Sequence, residues 1–412
     1  MSRAERCRVR FINTYEPVTS IFRDLPARLA QGGVSVEVVI SSAEYRAARS
    51  GLDAMLASQG VRVVRIPCGV GVADSRIRKL WVLATYVIGT VAYTLFGPRV
   101  DLNVFLTQPP LFSAWGPPLR WLRREKFACI VMDLYPDVAV ASRQIRSGGL
   151  LDRVMHHVGR WTLRRADAVI VIGRCMADRL ADDGVPRSLM HLVTNWADEG
   201  AVRDCPLAGN PLRDELGLEG RFVVLYSGNM GVAHTFDEVM HAAERLAGRR
   251  DIHFVFVGDG ARRREIESAI TRRRLQNVTM LPFQPRERMA DSMGLGNVHL
   301  ITQRPGMEGV VVPSKAYSAF AAGRAVIYVG DSRGEIARTV TENDVGTVVA
   351  PGDGDGLAAA IAAYADDPQR AVRQGAGSAR LAREHFSAAN CIGRYERIVA
   401  RTAGVAVVEG QA

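Results

Sequence analysis

Short, almost purely apolar runs alternate with longer mixed stretches along the whole 412-residue chain. In the first half, runs at residues 9–12, 36–40, 61–66, 102–106, 128–132 and 168–172 read as strands, with 193–196 closing the series. In the second half the runs fall at 222–227, 253–258, 278–281, 298–301, 325–329 and 346–349. Continuous apolar runs of this length suit strands covered on both faces, as in parallel sheets. Between them lie helical patterns, such as 19–30, which stops at Gly32-Gly33, and 234–246. Strand and helix in alternation predict two parallel α/β sheets. Residues 198–220 are polar and rich in Gly, Pro and Asp, and divide the series. The expected organisation is a Rossmann-like N-terminal domain over 1–200, a linker over 201–220, and a Rossmann-like C-terminal domain over 221–385. A last helix and tail, 386–412, would pack back on the first domain.

One segment does not fit the alternation. After Arg76-Ile77-Arg78-Lys79 come seventeen uncharged residues, 80–96, closed by Gly97-Pro98-Arg99. A helix of that length spans about 25 Å, at or below what a bilayer crossing needs. Three readings stand for 76–99: a buried helix of the first domain, an interfacial helix with Arg76, Arg78, Lys79 and Trp81 at a membrane rim, or a span.

Composition narrows the function classes. A net charge of +10 and a pI near 9.6 point to an anionic partner: a phosphate-rich ligand, an acidic membrane surface or nucleic acid. The arginine triplets at 262–264 and 272–274 lack interleaved aromatics and read as solvated faces, so nucleic acid is not expected. Six cysteines without CxxC spacing, and eight histidines without an HExxH pattern, predict reduced thiols and no metal site. The start, MSRAERCRVR, runs straight into a strand-like segment and reads as no signal peptide.

Candidate chemistry collects where strands end. In parallel sheets ligands bind beyond the carboxyl ends of the strands. The loop at 13–17 carries Thr14 and Tyr15 but no GxGxxG, so a dinucleotide site has no support there. Asp133-Leu134-Tyr135-Pro136-Asp137 is an acidic, proline-fixed loop of the same kind, with Asp133 and Asp137 as candidates. Ser227-Gly228-Asn229-Met230-Gly231 is a glycine-rich turn after a strand, where the backbone can approach a phosphate. Gly258-Asp259-Gly260 repeats that logic. Residues 303–335 hold the densest cluster. Glu308 sits in a loop beside Gly309, Pro313 and Ser314 mark a helix start with Ser314 as N-cap, and Lys315 places a cation in the first turn, where the helix dipole disfavours one unless an anion binds between them. The chain has only three lysines, at 79, 126 and 315, against fifty arginines, so Lys315 is not a compositional default.

In order and spacing, SGNMG, VFVGDG, NVTMLPF, GMEGVVVPSKAYSAFAAGRAVI and GEIA resemble the GT-B glycosyltransferases of family 4. The VPSK form, with TQPP and DLYPD in the first half, looks most like the WbuB-type bacterial branch, whose members act on lipid-linked precursors of surface polysaccharide. The resemblance implies an α/β GT-B fold, with two Rossmann-like parallel-sheet domains facing across a cleft. It implies retaining transfer from a UDP- or GDP-sugar without a metal or other cofactor. On this chain Glu308 matches the first Glu of the family's paired-glutamate motif, which contacts the donor sugar; the second falls at Ala316 and is absent. Gly228, Asn229 and Gly231 take the place of the diphosphate loop, with Gly258, Gly309 and Ser314 beside it, and Lys315 or Arg304 supplies the missing positive charge. Pro282 and Phe283 match the nucleobase border. Of the family's His-Asp pair only Asp133 remains, and Thr14, Tyr15 and Asp137 fall on the acceptor side. The expected catalytic residues are Glu308, Asp133 and Lys315. The expected partners are a nucleotide-sugar, a lipid-linked or small-molecule acceptor, and an anionic membrane touched through 76–99 from the cytoplasmic face. Competing readings are a nucleotide-sugar epimerase, a transferase acting on a soluble metabolite, and a non-catalytic partner that has kept the fold.

Overall fold

The computed structural model describes residues 7–13, 20–42, 52–68, 76–198, 200–202, 205 and 207–405. The chain forms two units. The first comprises residues 1–140, 145–193 and 392–412, and the second residues 141–144 and 194–391.

Unit 1 is built on seven parallel strands: β1 (Arg8–Ile12), β2 (Ser35–Ser41), β3 (Arg62–Ile66), β4 (Leu102–Phe105), β5 (Lys126–Val131), β6 (Ala168–Val171) and β7 (Met190–Leu192). Their order is β3-β2-β1-β4-β5-β6-β7, so the winding reverses between β1 and β4. The register runs Val9 against Leu102 and Phe11 against Val104, which stacks the apolar runs side by side. Inside this core Arg10 is fully buried. Its guanidinium is satisfied by Glu37, the Asn103 side chain and the Pro98 carbonyl, so a buried charge is tolerated because it is paired and hydrogen-bonded. The segment 193–196 forms no strand; the last strand of the sheet is Met190–Leu192, and Thr194–Ala197 are buried in unit 2 instead.

Unit 2 repeats the plan with β8 (Phe222–Ser227), β9 (Ile252–Val257), β10 (Val278–Leu281), β11 (Val298–Thr302), β12 (Ala325–Val329) and β13 (Gly346–Val349). The order is β10-β9-β8-β11-β12-β13, with the reversal between β8 and β11. One face of the sheet packs on a core of Tyr226, Phe236, Val239, Phe254, Phe256 and Ile361. The segment read as a linker is part of this unit. Asn210 caps a helix at Pro211–Glu215 by accepting from the Leu212 and Arg213 amides, and Leu212 and Leu218 pack on Val223 and Val255. The buried Arg213 donates to the carbonyls of Leu295 and Leu218. Gly and Pro punctuation there marks turns within a packed element, which composition alone does not distinguish from a linker. The final helix, Ala388–Ala403, begins in unit 2, and from residue 392 onward it belongs to unit 1. There Glu396 pairs with Arg28 at 2.7 Å, and Tyr395 and Val399 are fully buried.

The ambiguous apolar segment forms a helix, Arg76–Phe96. Tyr86, Thr90 and Thr94 are fully buried, and the Tyr86 hydroxyl donates to the Asn13 carbonyl at 2.7 Å. Trp81, Ile88 and Phe96 point outward, 63%, 68% and 87% exposed. Among the described residues no helix is long and apolar enough to cross a membrane.

Candidate active site

In a doubly wound sheet the crevice opens beyond the strand ends where the winding reverses. In unit 2 that place lies between the ends of β8 and β11. The β8 end carries Ser227 to Gly231, and the β11 end carries Thr302 to Glu308.

The two loops meet on Lys315. A helix at Lys315–Ala321 carries it, seven residues long and preceded by Val310-Val311-Val312-Pro313. Lys315 Nζ donates to the Tyr226 hydroxyl, to the Asn229 carbonyl at 3.1 Å and toward His234 Nε2 at 3.3 Å. It also lies 3.9 Å from the centre of the Tyr226 ring, within cation–π range. The Tyr226 hydroxyl in turn donates to the Asn229 carbonyl at 2.9 Å. His234 Nδ1 sits 2.5 Å from the Thr302 carbonyl. A carbonyl only accepts, so Nδ1 carries the proton and Nε2 offers a lone pair to the lysine. Burial, with Lys315 next in weight, lowers the His234 pKa to about 3, so the imidazole is neutral. Burial likewise holds the Lys315 pKa well below that of a free amine. Among the described residues no carboxylate pairs with Lys315. The result is an amine whose protein partners are all uncharged, held at the crevice of the sheet.

The glycines are there for space. Gly228 has φ of +134°, and a Cβ on it would sit 3.3 Å from Lys315 Cε. Gly258 has φ of +140°, and a Cβ there would fall 2.2 Å from the Gly228 carbonyl oxygen. The ends of β8 and β9 thus touch backbone to backbone, and no side chain fits between them. Met230 N donates to the Asp259 carbonyl at 2.8 Å, which ties the two loops together. Arg262 and Arg263, expected on a solvated face, brace these loops instead. Arg262 donates to the His234 carbonyl at 2.7 Å, and Arg263 to the Gly258 carbonyl at 2.5 Å. Pro282 and Phe283 are exposed at the end of β10, with the Phe283 ring edge 3.4 Å from the position of a Gly258 Cβ.

The Glu308 loop is set by a residue that sequence reasoning passed over. Gln303 is 2% exposed; its amide donates to the Met307 and Val311 carbonyls, both at 2.9 Å, and its oxygen accepts from Tyr328. That clamp, with Gly309 at φ of +74°, turns the loop so that Glu308 is only half-buried. Glu308 Oε1 lies 3.8 Å from Arg333, whose guanidinium is held more tightly by Asp331 at 2.8 Å. Glu308 Oε2 is buried without a hydrogen-bond partner. A carboxylate oxygen left so is an acceptor awaiting a donor. Arg304 is exposed, but its amide donates to the Ala233 carbonyl at 2.8 Å, beside His234.

Ser314 does not cap the helix with its side chain. It already has helical backbone angles. The Ala316 amide bonds the Pro313 carbonyl and the Tyr317 amide bonds the Ser314 carbonyl, so the turn begins one residue earlier than a capping serine would set it. The group that can carry positive charge at this place is the lysine side chain, not a capped helix start.

In unit 1 the expected residues part company. Thr14 and Tyr15 lie outside the described residues. Asp133 follows β5 and lines a small cavity of about 60 Å³ with Thr107, Cys129, Tyr135 and Gly159. Burial raises its pKa to about 6. Asp137 is engaged: Arg179 donates to it at 2.5 Å, and His156 Nε2 stands 3.4 Å away. Its position fixes the helix Asp137–Ala141 to the neighbouring helices and leaves no free carboxylate for a ligand. Among the described residues no group of three or more His, Cys, Asp or Glu is placed to hold a metal ion.

Of the residues at the unit 2 crevice, sequence reading had Lys315, Gly228, Asn229 and Glu308. It lacked Tyr226, His234, Gln303 and Arg263. His234 left one signal, a polar residue in the small-residue stretch straight after the glycine turn.

Two doubly wound halves, with a glycine-bounded crevice in the second, define a GT-B architecture. In solved structures the same architecture is seen in the Anabaena Alr3699/HepE protein, determined in complex with UDP and glucose, at a TM-score of 0.71, 16% identity, and coverage of 97% of this chain and 99% of that one. A family model described as glycosyl transferase 4-like domain matches residues 18–196, and one described as glycosyl transferases group 1 matches residues 221–367. The chain is 29% identical over 281 residues to a probable glycosyltransferase WbjE of Pseudomonas aeruginosa, covering 66% of this chain and 68% of that protein. It is 27% identical over 193 residues to a putative colanic acid biosynthesis glycosyl transferase WcaI of Escherichia coli, 46% of this chain and 47% of that protein. The chain belongs to the GT-B glycosyltransferases, with a glycosyl transferase 4-like domain followed by a group 1 domain.

Proposed function

We propose that the protein transfers a sugar, with retention of anomeric configuration and without a metal, from a UDP-sugar to a lipid-linked saccharide in surface polysaccharide synthesis. The observation that carries the donor half is Lys315: an amine among uncharged acceptors, at the crevice where a doubly wound sheet takes its ligand. A diphosphate would give that amine its missing counter-charge, and the ammonium would stabilise the diphosphate as the leaving group departs. Glu308, with one oxygen unpartnered, would accept from hydroxyls of the donor sugar and stabilise positive charge at the anomeric carbon. Phe283 and Pro282 offer an exposed apolar edge for the base. UDP is preferred over GDP because a protein of the same fold is known with UDP bound. The polysaccharide assignment is supported by the name of the colanic acid relative, and the VPSK form supports the WbuB-type branch. Asp133 would orient the acceptor, and the exposed Trp81, Ile88 and Phe96 support contact of 76–99 with the inner face of the plasma membrane.

The test is thermal unfolding in UDP, GDP, ADP and TDP in parallel. UDP should raise the midpoint by mass action, and failure of all four to do so would refute the donor site. Transfer from the matching UDP-sugars to a polyprenyl diphosphate-linked saccharide, run in EDTA, should then give a product whose anomeric configuration matches the donor. An inverted product, or a dependence on added metal, would refute the mechanism.

A further inference from the structure

Three of the four polar atoms of His234 are spent on holding the residue still. Its backbone N–H donates to the Gly231 carbonyl at 3.2 Å, and its carbonyl accepts from Arg262 at 2.7 Å. Nδ1 is tied to the Thr302 carbonyl at 2.5 Å. The preceding carbonyl, of Ala233, is held by the Arg304 amide at 2.8 Å. The fourth atom, Nε2, faces Lys315 Nζ from 3.3 Å. A ring fixed in this way presents one lone pair at one place.

That lone pair completes a count. An ammonium has three N–H donors and no acceptor. Three acceptors face Nζ: the Tyr226 oxygen, the Asn229 carbonyl and His234 Nε2. None of them donates back, because the Tyr226 proton goes to Asn229 and the His234 proton to Thr302. A neutral amine would set its own lone pair against one of these acceptors. The cage therefore favours the protonated form and offsets part of the penalty that burial places on it. It also leaves no N–H over, so an anion reaches the amine hydrogens only by displacing an acceptor. The three are unequal. Tyr226 is fixed in the core, with Nζ 3.9 Å from its ring centre. Asn229 lies on the loop that Met230 ties to Asp259. His234 makes the longest of the three contacts. A bond to a charged phosphate oxygen is roughly twice as strong as one to a neutral acceptor, so the imidazole is the partner that yields.

We infer that His234 is a positioning residue for the diphosphate: its Nε2 keeps the third N–H of Lys315 occupied and aimed in the empty crevice, and releases it to a phosphate oxygen when the nucleotide binds. This rests on the reading of Lys315 as the partner of the diphosphate. A carboxylate at 234 would instead pin the amine, and a hydrocarbon would leave it short of an acceptor and readier to lose its proton. The titratable groups around Nζ are Tyr226 from β8 and His234 from the loop after it, and Arg262, just before the helix Arg263–Arg273, stands behind His234. Burial raises the Tyr226 pKa and lowers that of His234 to about 3. Neither changes charge near neutral pH, so the pH dependence falls to Lys315.

The test is calorimetric titration of the full-length protein with UDP at low and high pH, beside donor KM and kcat for transfer. His234→Leu should bind UDP about tenfold more weakly at high pH, with the gap narrowing as pH falls, and the loss should fall on donor KM more than on kcat. His234→Gln, whose amide oxygen can take the place of Nε2, should restore most of the affinity at both pH values. His234→Glu should unfold at a higher temperature than wild type yet bind UDP about tenfold more weakly at both, because a charged acceptor then competes with the phosphate. A merely structural histidine would lower the midpoint in all three variants and leave the pH dependence of binding where it was. A leucine variant with the wild-type pH profile, a glutamine variant as weak as leucine, or a glutamate variant that binds UDP like wild type would each overturn the proposal. Lys315→Met separates the two readings. If it weakens UDP binding and His234→Leu does not, the Lys315 reading stands and the positioning role falls; if it binds UDP like wild type, both fall.

Discussion

Replacing Lys315 with methionine should separate stability from function. The methionine keeps the aliphatic stem that runs past Gly228, and removes an amine whose partners among the described residues are Tyr226, Asn229 and His234. In the empty protein that amine is poorly solvated and has no counter-charge among the described residues, so removing it should stabilise unit 2 by about 0.5–2 kcal/mol, the range of substitutions that relieve a functional strain. For a unit of this size the midpoint should rise by a few degrees. Nucleotide binding should move the other way. A lost charge-assisted contact costs about 1.5–3 kcal/mol, which weakens the UDP dissociation constant about 10- to 150-fold. The pH dependence has a defined sign. Burial lowers the folded-state pKa of Lys315, so between the folded and unfolded values the unfolded chain binds the extra proton. The wild type then gains stability as pH rises through that window, and the methionine variant lacks the slope. A diphosphate favours the charged amine, so UDP binding should take up a proton and weaken as pH rises above the free-enzyme value. Calorimetric titration with UDP in two buffers of different ionisation enthalpy reads the proton count directly. A variant that is less stable than wild type, that binds UDP within threefold of it, or that shows the same proton uptake would refute this account of Lys315.

Two further outcomes follow from the same geometry. Asp133→Asn should raise the unfolding midpoint at pH 8 and abolish transfer: burial lifts the Asp133 pKa to about 6, so its contribution to stability is fully present below the usual carboxylate value near 4 and is lost as pH rises through about 6. If the carboxylate is the active form, wild-type transfer should rise with an apparent pKa near 6, and a flat profile from pH 5 to 8 would contradict that role. Gly258→Ala should destabilise unit 2, because its Cβ would fall 2.2 Å from the Gly228 carbonyl at a φ of +140°. The expected cost of about 1–3 kcal/mol is read by thermal unfolding alongside UDP titration, and an alanine variant with unchanged midpoint and affinity would refute the close contact.

The alternation of apolar runs determined the fold class by itself. Strands buried on both faces must be apolar throughout, and runs such as 325–329 admit no other reading when turns bound them. The strand 222–227 was legible residue for residue for the same reason. The run 193–196 forms no strand: two of its four residues, Thr194 and Asn195, are polar, and packing rather than a strand ladder buries them. The linker failed in the same way: Gly and Pro mark turns, and only packing decides whether a turn is free or holds Leu212 and Leu218 in a core. At the site, the sequence disclosed the residues whose type is itself unusual. A lone lysine among arginines and glycines at strand ends stood out without any structure. Tyr226 ends a strand, His234 follows a loop, and Gln303 is a polar residue after an apolar run. None is unusual until the reversal between β8 and β11 sets those strand ends side by side. The charge on Lys315, the tautomer of His234 and the unpartnered oxygen of Glu308 depend on distances between residues 60 to 90 positions apart in the chain. Proximity of that kind is fixed by sheet order, and sheet order is decided by the packing of the whole unit, not by any local pattern.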